Sequence, residues 1–211
     1  MPLTLFFISL TSEVITFSSA LYMLRFLNWQ MRLLLIYFGV AVITELLLAY
    51  MGSQGMNNLW LARVFSIVEF CLLTIVFSSW QNNKLLKRLL HISIPLMVVL
   101  GIFSTLYLEN IRHFNSFSKP ITSLILIMVS AYTLVELNKE KIDFLFREPR
   151  FWFSSGVLFS FSASLLLHAL SNSLLHLPMS VVRLIFESNV VLSIIANIIY
   201  TGGFLCQTRT R

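Results

Sequence analysis

Seven apolar runs, each long enough to cross a lipid bilayer, constrain this chain more than any other feature of its sequence. A helix rises 1.5 Å per residue, so about 20 apolar residues cross the hydrocarbon core. The runs are continuously apolar, whereas strands of a membrane barrel would alternate with period two. The sequence predicts an all-α polytopic membrane protein with a single domain over residues 1–211. The predicted transmembrane spans are about 3–27, 33–51, 59–80, 91–108, 119–136, 151–171 and 181–205.

The composition agrees with a membrane protein and excludes a soluble one. The chain is 57% hydrophobic and 11% charged, whereas soluble domains carry about 25% charged residues. The net charge of +6 does not indicate a nucleic-acid partner, because the basic residues lie in short loops between the apolar runs. Two cysteines build neither a disulfide framework nor a zinc site.

The distribution of basic residues predicts the orientation in the membrane. Eleven of the fifteen lysines and arginines fall in loops on one side, and only Arg112 and Lys119 fall in loops on the other. Cytoplasmic loops carry the excess of basic residues, so the N-terminus is predicted outside and the C-terminus inside. The eleven are Arg25, Arg32, Lys84, Lys87, Arg88, Lys139, Lys141, Arg147, Arg150, Arg209 and Arg211.

Three further features concern the arrangement of the spans. Pro95 lies inside the fourth span and predicts a kink there. The segment 137–150 is either an amphipathic helix on the inner surface or a plain loop. The first span of the triplet 1–3 and the first span of the triplet 5–7 start on the same side of the membrane. This suggests a parallel 3+1+3 repeat with the fourth span as linker. Arg63 precedes Glu69 by the same six positions that separate Arg183 from Asn189.

Ionisable side chains inside the spans are the most informative feature for function. Each charge at the centre of a bilayer costs about 2.5–3.5 kcal/mol on insertion scales, so such residues face a bundle interior or a wet cavity. Those found here cluster in the outer half of the predicted bundle, and the inner half is nearly bare. The candidate ligand- or ion-binding residues are Glu13, Glu45, Arg63, Glu69, Arg183, Glu187, Asn189 and His168.

Depth along the helices predicts which of these charges pair. Counted from the outer helix ends, Arg63 lies roughly 3–6 Å deep, and Glu45 and Glu187 lie about 9 Å deep. Arg63 therefore matches either of these two acids. Arg183 and Glu187 are four residues apart and share a helix face.

The deepest acids, Glu13 and Glu69, lie about 15 Å from the outer end and have no predicted basic partner. Their depth favours the neutral form of the carboxyl group, so we expect these acids to be either protonated or poised to bind a cation or proton. Glu69 is the residue that we most expect to be functional. The alternative for all these groups is a structural role, in which interhelical hydrogen bonds fix the packing.

Several functional classes lack their required residues. A retinal protein needs a lysine in its last span, and the seventh span has none. The histidines do not show the spacing of a metal site, and neither a glycine-rich phosphate loop nor a nucleophile elbow occurs. We therefore predict no catalytic residues, no metal, no cofactor and no enzymatic activity.

Short motifs resemble those of a group of uncharacterised bacterial seven-helix inner-membrane proteins. The motifs are Asn57-Asn58-Leu59-Trp60, Glu69-Phe70 and Pro149-Arg150-Phe151-Trp152. The resemblance implies a bacterial inner (cytoplasmic) membrane and no particular mechanism.

The sequence thus predicts a receptor-like membrane sensor or ligand-binding protein with an outward-facing polar pocket. A second reading is a small-solute or proton-coupled transporter that uses Glu13 and Glu69, and a third is a structural subunit of a membrane complex. The expected partners are the lipid bilayer and a cytosolic or membrane protein at the basic inner loops, and an oligomer is compatible with the sequence.

Overall fold

The computed structural model describes residues 3–104, 117–140, 145–174 and 178–206. Its seven α-helices are all long and apolar enough to cross a membrane, which confirms the predicted all-α architecture of seven potential spans. The described residues contain no strand. The helices are α1 (Leu3–Tyr22), α2 (Trp29–Ser53), α3 (Leu59–Trp80), α4 (Lys84–Phe103), α5 (Ser118–Lys139), α6 (Pro149–Leu174) and α7 (Met179–Leu205).

Two helix ends lie well away from the predicted ones, because apolarity alone does not set a boundary. α4 begins at Lys84 rather than near residue 91, since the side chain of Asn83 accepts hydrogen bonds from the backbone N–H groups of Leu85 and Leu86. The cap therefore places the start of α4 in a basic segment that precedes the predicted apolar span. α1 ends at Tyr22, although the apolar residues continue to Leu27, which is buried without being helical.

The prolines and the segment 137–150 give mixed outcomes. Pro149 begins α6 and Pro178 is the N-cap of α7, as expected for prolines at helix starts. Pro95 lies inside α4, and the kink there stays a prediction. In the described part of 137–150, α5 continues to Lys139 and a 3₁₀ turn covers Leu145–Arg147, so no separate amphipathic helix occurs there; residues 141–144 lie outside the described residues.

Six helices form a closed ring of neighbours in the order α1, α2, α3, α5, α6, α7. α4 packs outside this ring, mainly against α3 and to a smaller extent against α5. Side-chain contacts show that α1 runs parallel to α7 and α3 runs parallel to α5. We call the end at which α1, α3, α5 and α7 begin the upper end, and the opposite end the lower end.

The lower half of the ring is packed mainly with apolar side chains. Phe38, Phe153, Tyr200 and Phe204 pack with ring centroids 4.8–5.8 Å apart, mostly edge to face. These four residues, from α2, α6 and α7, form what we call the aromatic floor. Buried side chains of α3 and α5 extend the same core toward the lower end. Among the described residues, the buried charged side chains of the ring lie above this floor; they are Arg63, Glu69 and Lys119.

Candidate functional site

A cavity of about 320 Å³ lies above the aromatic floor. All six helices of the ring contribute to its walls, and α4 does not. Its floor includes the ring of Tyr200, whose hydroxyl lies 3.1 Å from Ser160 Oγ. The polar and charged residues that line it are Ser9, Glu13, Tyr37, Glu45, Glu69, Lys119, Ser160, Ser164, His168, Asn189, Ser193, Asn197 and Tyr200.

Five of the predicted site residues meet in this cavity. They come from five different helices, so no sequence spacing joins them, and the ring alone brings them together. A polar side chain inside a membrane helix turns toward the bundle interior, and the cavity is that interior. The five residues are Glu13, Glu45, Glu69, His168 and Asn189.

Glu69 is buried and makes two polar contacts inside the cavity. Its Oε2 forms an ion pair with Lys119 Nζ of α5, and its Oε1 accepts a hydrogen bond of 3.1 Å from the hydroxyl of Tyr37. Lys119 Nζ also lies 5.3 Å from the centroid of the Phe161 ring, within cation–π range. The prediction that Glu69 is a deep acid without a basic partner is therefore wrong.

The position of α5 along its axis explains this error. Two contacts fix α5 against α3, the Glu69–Lys119 pair and a hydrogen bond of 2.8 Å from Gln81 Nε2 to Thr133 Oγ1. Lys119 therefore lies level with Glu69, about 15 Å below the start of α3 at Leu59. The sequence places Lys119 at the outer surface because a predicted span is assumed to begin there.

Glu13 and Glu45 also line the cavity but have no such partner. Among the described residues, no hydrogen bond or ion pair joins either carboxyl group to another side chain. Glu13 lies within electrostatic range of both Glu45 and Glu69. Three carboxyl groups thus share one cavity with a single lysine, and that lysine is paired with Glu69.

Three predicted site residues lie outside the cavity lining. The predicted pairing of Arg183 with Glu187 is confirmed, with Arg183 Nε 2.6 Å from Glu187 Oε1, and the side chain of Arg183 is 58% exposed. Arg63 is buried in α3 near the upper end. The predicted ion pairs of Arg63 with Glu45 or Glu187 do not form, since Glu187 pairs with Arg183 and Glu45 pairs with no described residue.

Sequence reasoning missed the residues of neighbouring helices that lie against Glu69 or against its partner Lys119. The sequence assigns Lys119 to the outer loops, and Tyr37 and Phe161 carry no charge that would mark them. One feature of the sequence could have indicated this contact: Lys119 lies at the end of a predicted span. A lysine there can reach a buried acid if its helix begins well below the membrane surface. Asn197, which is not among the predicted site residues, lines the cavity and donates to Ser12 Oγ of α1 at 3.0 Å.

Within the described residues, no three His, Cys, Asp or Glu side chains converge as ligands of a metal ion. The cavity instead offers carboxylates, one ammonium group, hydroxyls, amides and aromatic faces. No protein-family model, curated protein or solved structure matches this chain. The functional argument therefore depends on the geometry and chemistry of the cavity.

Proposed function

We propose that this chain is a membrane sensor or ligand-binding protein that receives a small polar solute in the cavity from its upper end. The observation that carries this proposal is the one-sided distribution of charged groups inside the ring, with charged walls above and the aromatic floor below. The volume of about 320 Å³ is at the small end of the range typical of ligand pockets, about 300–1,000 Å³.

The distribution of charge supports an upper end that faces outward. Basic residues at the start of α4 and the end of α5 lie at the lower end, among them Lys84, Lys87, Arg88 and Lys139. By the positive-inside rule this end faces the cytoplasm. The basic surface would contact anionic lipid or a cytosolic partner, and the resemblance noted above favours a bacterial cytoplasmic membrane.

A second candidate function is transport of a small solute, and one observation favours it. α4 lies outside a ring in which the neighbours of α1–α3 match those of α5–α7, as a 3+1+3 repeat would require. Two pairs of cavity residues also fit this repeat: Ser164 is 119 positions after Glu45, and Asn189 is 120 positions after Glu69. In this reading Glu13 and Glu69 are the coupling carboxyl groups.

Binding and flux assays separate the two candidates. The full chain in lipid nanodiscs should bind a small solute, and Ser193→Phe should block binding because Ser193 lines the cavity. Ile195→Phe is the matched control, since Ile195 is exposed on the outer face of the same helix. Solute flux in reconstituted vesicles that Glu13→Gln abolishes would support the transporter. Binding that neither α7 variant alters would contradict both.

The orientation has its own test. Single cysteines introduced at exposed positions of the two ends should react differently with a membrane-impermeant maleimide on intact cells. A cysteine at Gly55, in the α2–α3 turn, should be labelled from outside, and one at Asn82, in the α3–α4 turn, should not. The opposite pattern would place the cavity toward the cytoplasm.

A further inference from the structure

The balance of charge in the cavity indicates which kind of solute it would accept. Lys119 is paired with Glu69, and the Tyr37 hydroxyl donates to the same carboxylate. Glu13 and Glu45 line the remaining space without a donor from the described residues. Buried or half-buried carboxylates require hydrogen-bond donors or a counter-charge. The group that completes the site must therefore bring positive charge and N–H or O–H donors.

The cavity contains an internal example of how it holds such a group. The ammonium of Lys119 contacts a carboxylate and lies 5.3 Å from the centroid of the Phe161 ring. A carboxylate combined with an aromatic face is a common binding arrangement for organic ammonium groups. This observation is independent of the acids at positions 13 and 45, and it indicates an ammonium ligand rather than an anion.

We propose, on the basis of the function proposed above, that Glu13 and Glu45 bind the ammonium group of a small organic amine in this cavity. Glu69 is not part of that subsite, because Lys119 neutralises it and holds it in place. The amide and hydroxyl groups of Asn189, Ser193 and Asn197 on α7 face the same space. They provide hydrogen bonds to the polar body of the amine.

A transition-metal ion fits the same walls less well. Within the described residues, no group of three His, Cys, Asp or Glu side chains converges on one point, as the ligands of a zinc or other transition-metal ion do. An amine spreads its contacts over several separated acceptors, and its carbon atoms can lie against aromatic and apolar walls such as Phe161, Val190 and Ala196. The volume of about 320 Å³ limits the ligand to a small amine.

The test measures binding of ethanolamine and putrescine to the full chain in lipid nanodiscs by titration calorimetry. Acetate, glycerol and potassium ion are the comparison probes. We expect the amines to bind and Glu13→Gln and Glu45→Gln to weaken them about tenfold or more, since each loses a charged hydrogen bond. Glu187→Gln is the matched control, because Glu187 is an acid near the same end but outside the cavity lining.

Each alternative result has a defined meaning. Glu45→Asp keeps the charge and should retain binding, which guards against a variant that merely misfolds. Amine binding that is unchanged in both glutamine variants would overturn the ammonium subsite. Binding of acetate, glycerol or potassium in place of the amines, blocked by Ser193→Phe, would overturn the amine proposal and preserve a ligand-binding cavity. A broad solute screen with no ligand sensitive to Ser193→Phe would contradict both proposals.

Discussion

Replacing Lys119 by methionine tests whether the ion pair with Glu69 fixes α5 at the depth of the cavity. The two side chains are 11% and 9% exposed, so water screens the pair weakly. Removing one partner of a buried ion pair costs about 3–5 kcal/mol, because the remaining charge is left without compensation. Glu69 keeps the hydroxyl of Tyr37 as a donor. We therefore expect a loss near the lower limit, about 3 kcal/mol of unfolding free energy.

The assay is reversible unfolding of the purified protein in mixed micelles, followed by circular dichroism. Lys119→Met and Glu69→Gln should each destabilise the protein, and the double variant should lose less than the sum because it leaves no charge unpaired. Thr133→Val is a control for the second contact between the same helices, and it should cost only about 1 kcal/mol for a neutral hydrogen bond. Fully additive losses, or a Lys119→Met protein as stable as the parent, would refute both the pair and the depth assigned to α5.

Three further predictions concern stability and reactivity. Gly156→Ala should lower the free energy of unfolding by about 1–3 kcal/mol, because a Cβ there would lie within 2.8 Å of Tyr200 Cδ1 in the aromatic floor. Gly52→Ala is the control: its Cβ would have no neighbour closer than 3.6 Å, so it should be neutral or stabilising in the same unfolding assay. Asn83→Ala should cost about 0.5–2 kcal/mol through loss of the α4 cap, and an unchanged unfolding midpoint would argue against that cap. Burial raises the pKa of the Cys206 thiol to about 11. Roughly one thiol in a thousand is then ionised at pH 8. Maleimide labelling of a variant with this single cysteine should therefore accelerate about tenfold per pH unit up to pH 10. A labelling rate that levels off near pH 9 would contradict the raised pKa.

The number and type of the helices could be predicted because hydropathy is a local property. A run of about 20 apolar residues must be helical inside a bilayer, where every backbone polar group needs a partner within the segment. Helix ends depend on finer interactions. The cap by Asn83 and the buried, non-helical Leu27 both act against the apolar pattern, and both mark places where the prediction was wrong.

The candidate site could be predicted only in part. The rule that ionisable groups turn inward holds for Glu13, Glu45 and Glu69, which come together although they lie on three helices. The rule does not hold for Arg183, which lies near the end of α7 and is largely exposed while it pairs with Glu187. Long basic side chains near helix ends can reach the interface, so their position within a span does not bring them into the interior.

The interpretation of the whole cavity depends on the depth of α5 in the bundle. This depth cannot be predicted from the hydropathy or length of any one span. Hydropathy treats each span alone and assumes that all spans begin at the membrane surface. If α5 began level with α3, Lys119 would lie about 15 Å above Glu69 and the cavity would hold three carboxyl groups without a lysine. The contacts of Glu69 with Lys119 and of Gln81 with Thr133 fix α5 deeper. Glu69 consequently has a basic partner that the sequence did not predict, and Glu13 and Glu45 are the cavity acids without a partner among the described residues.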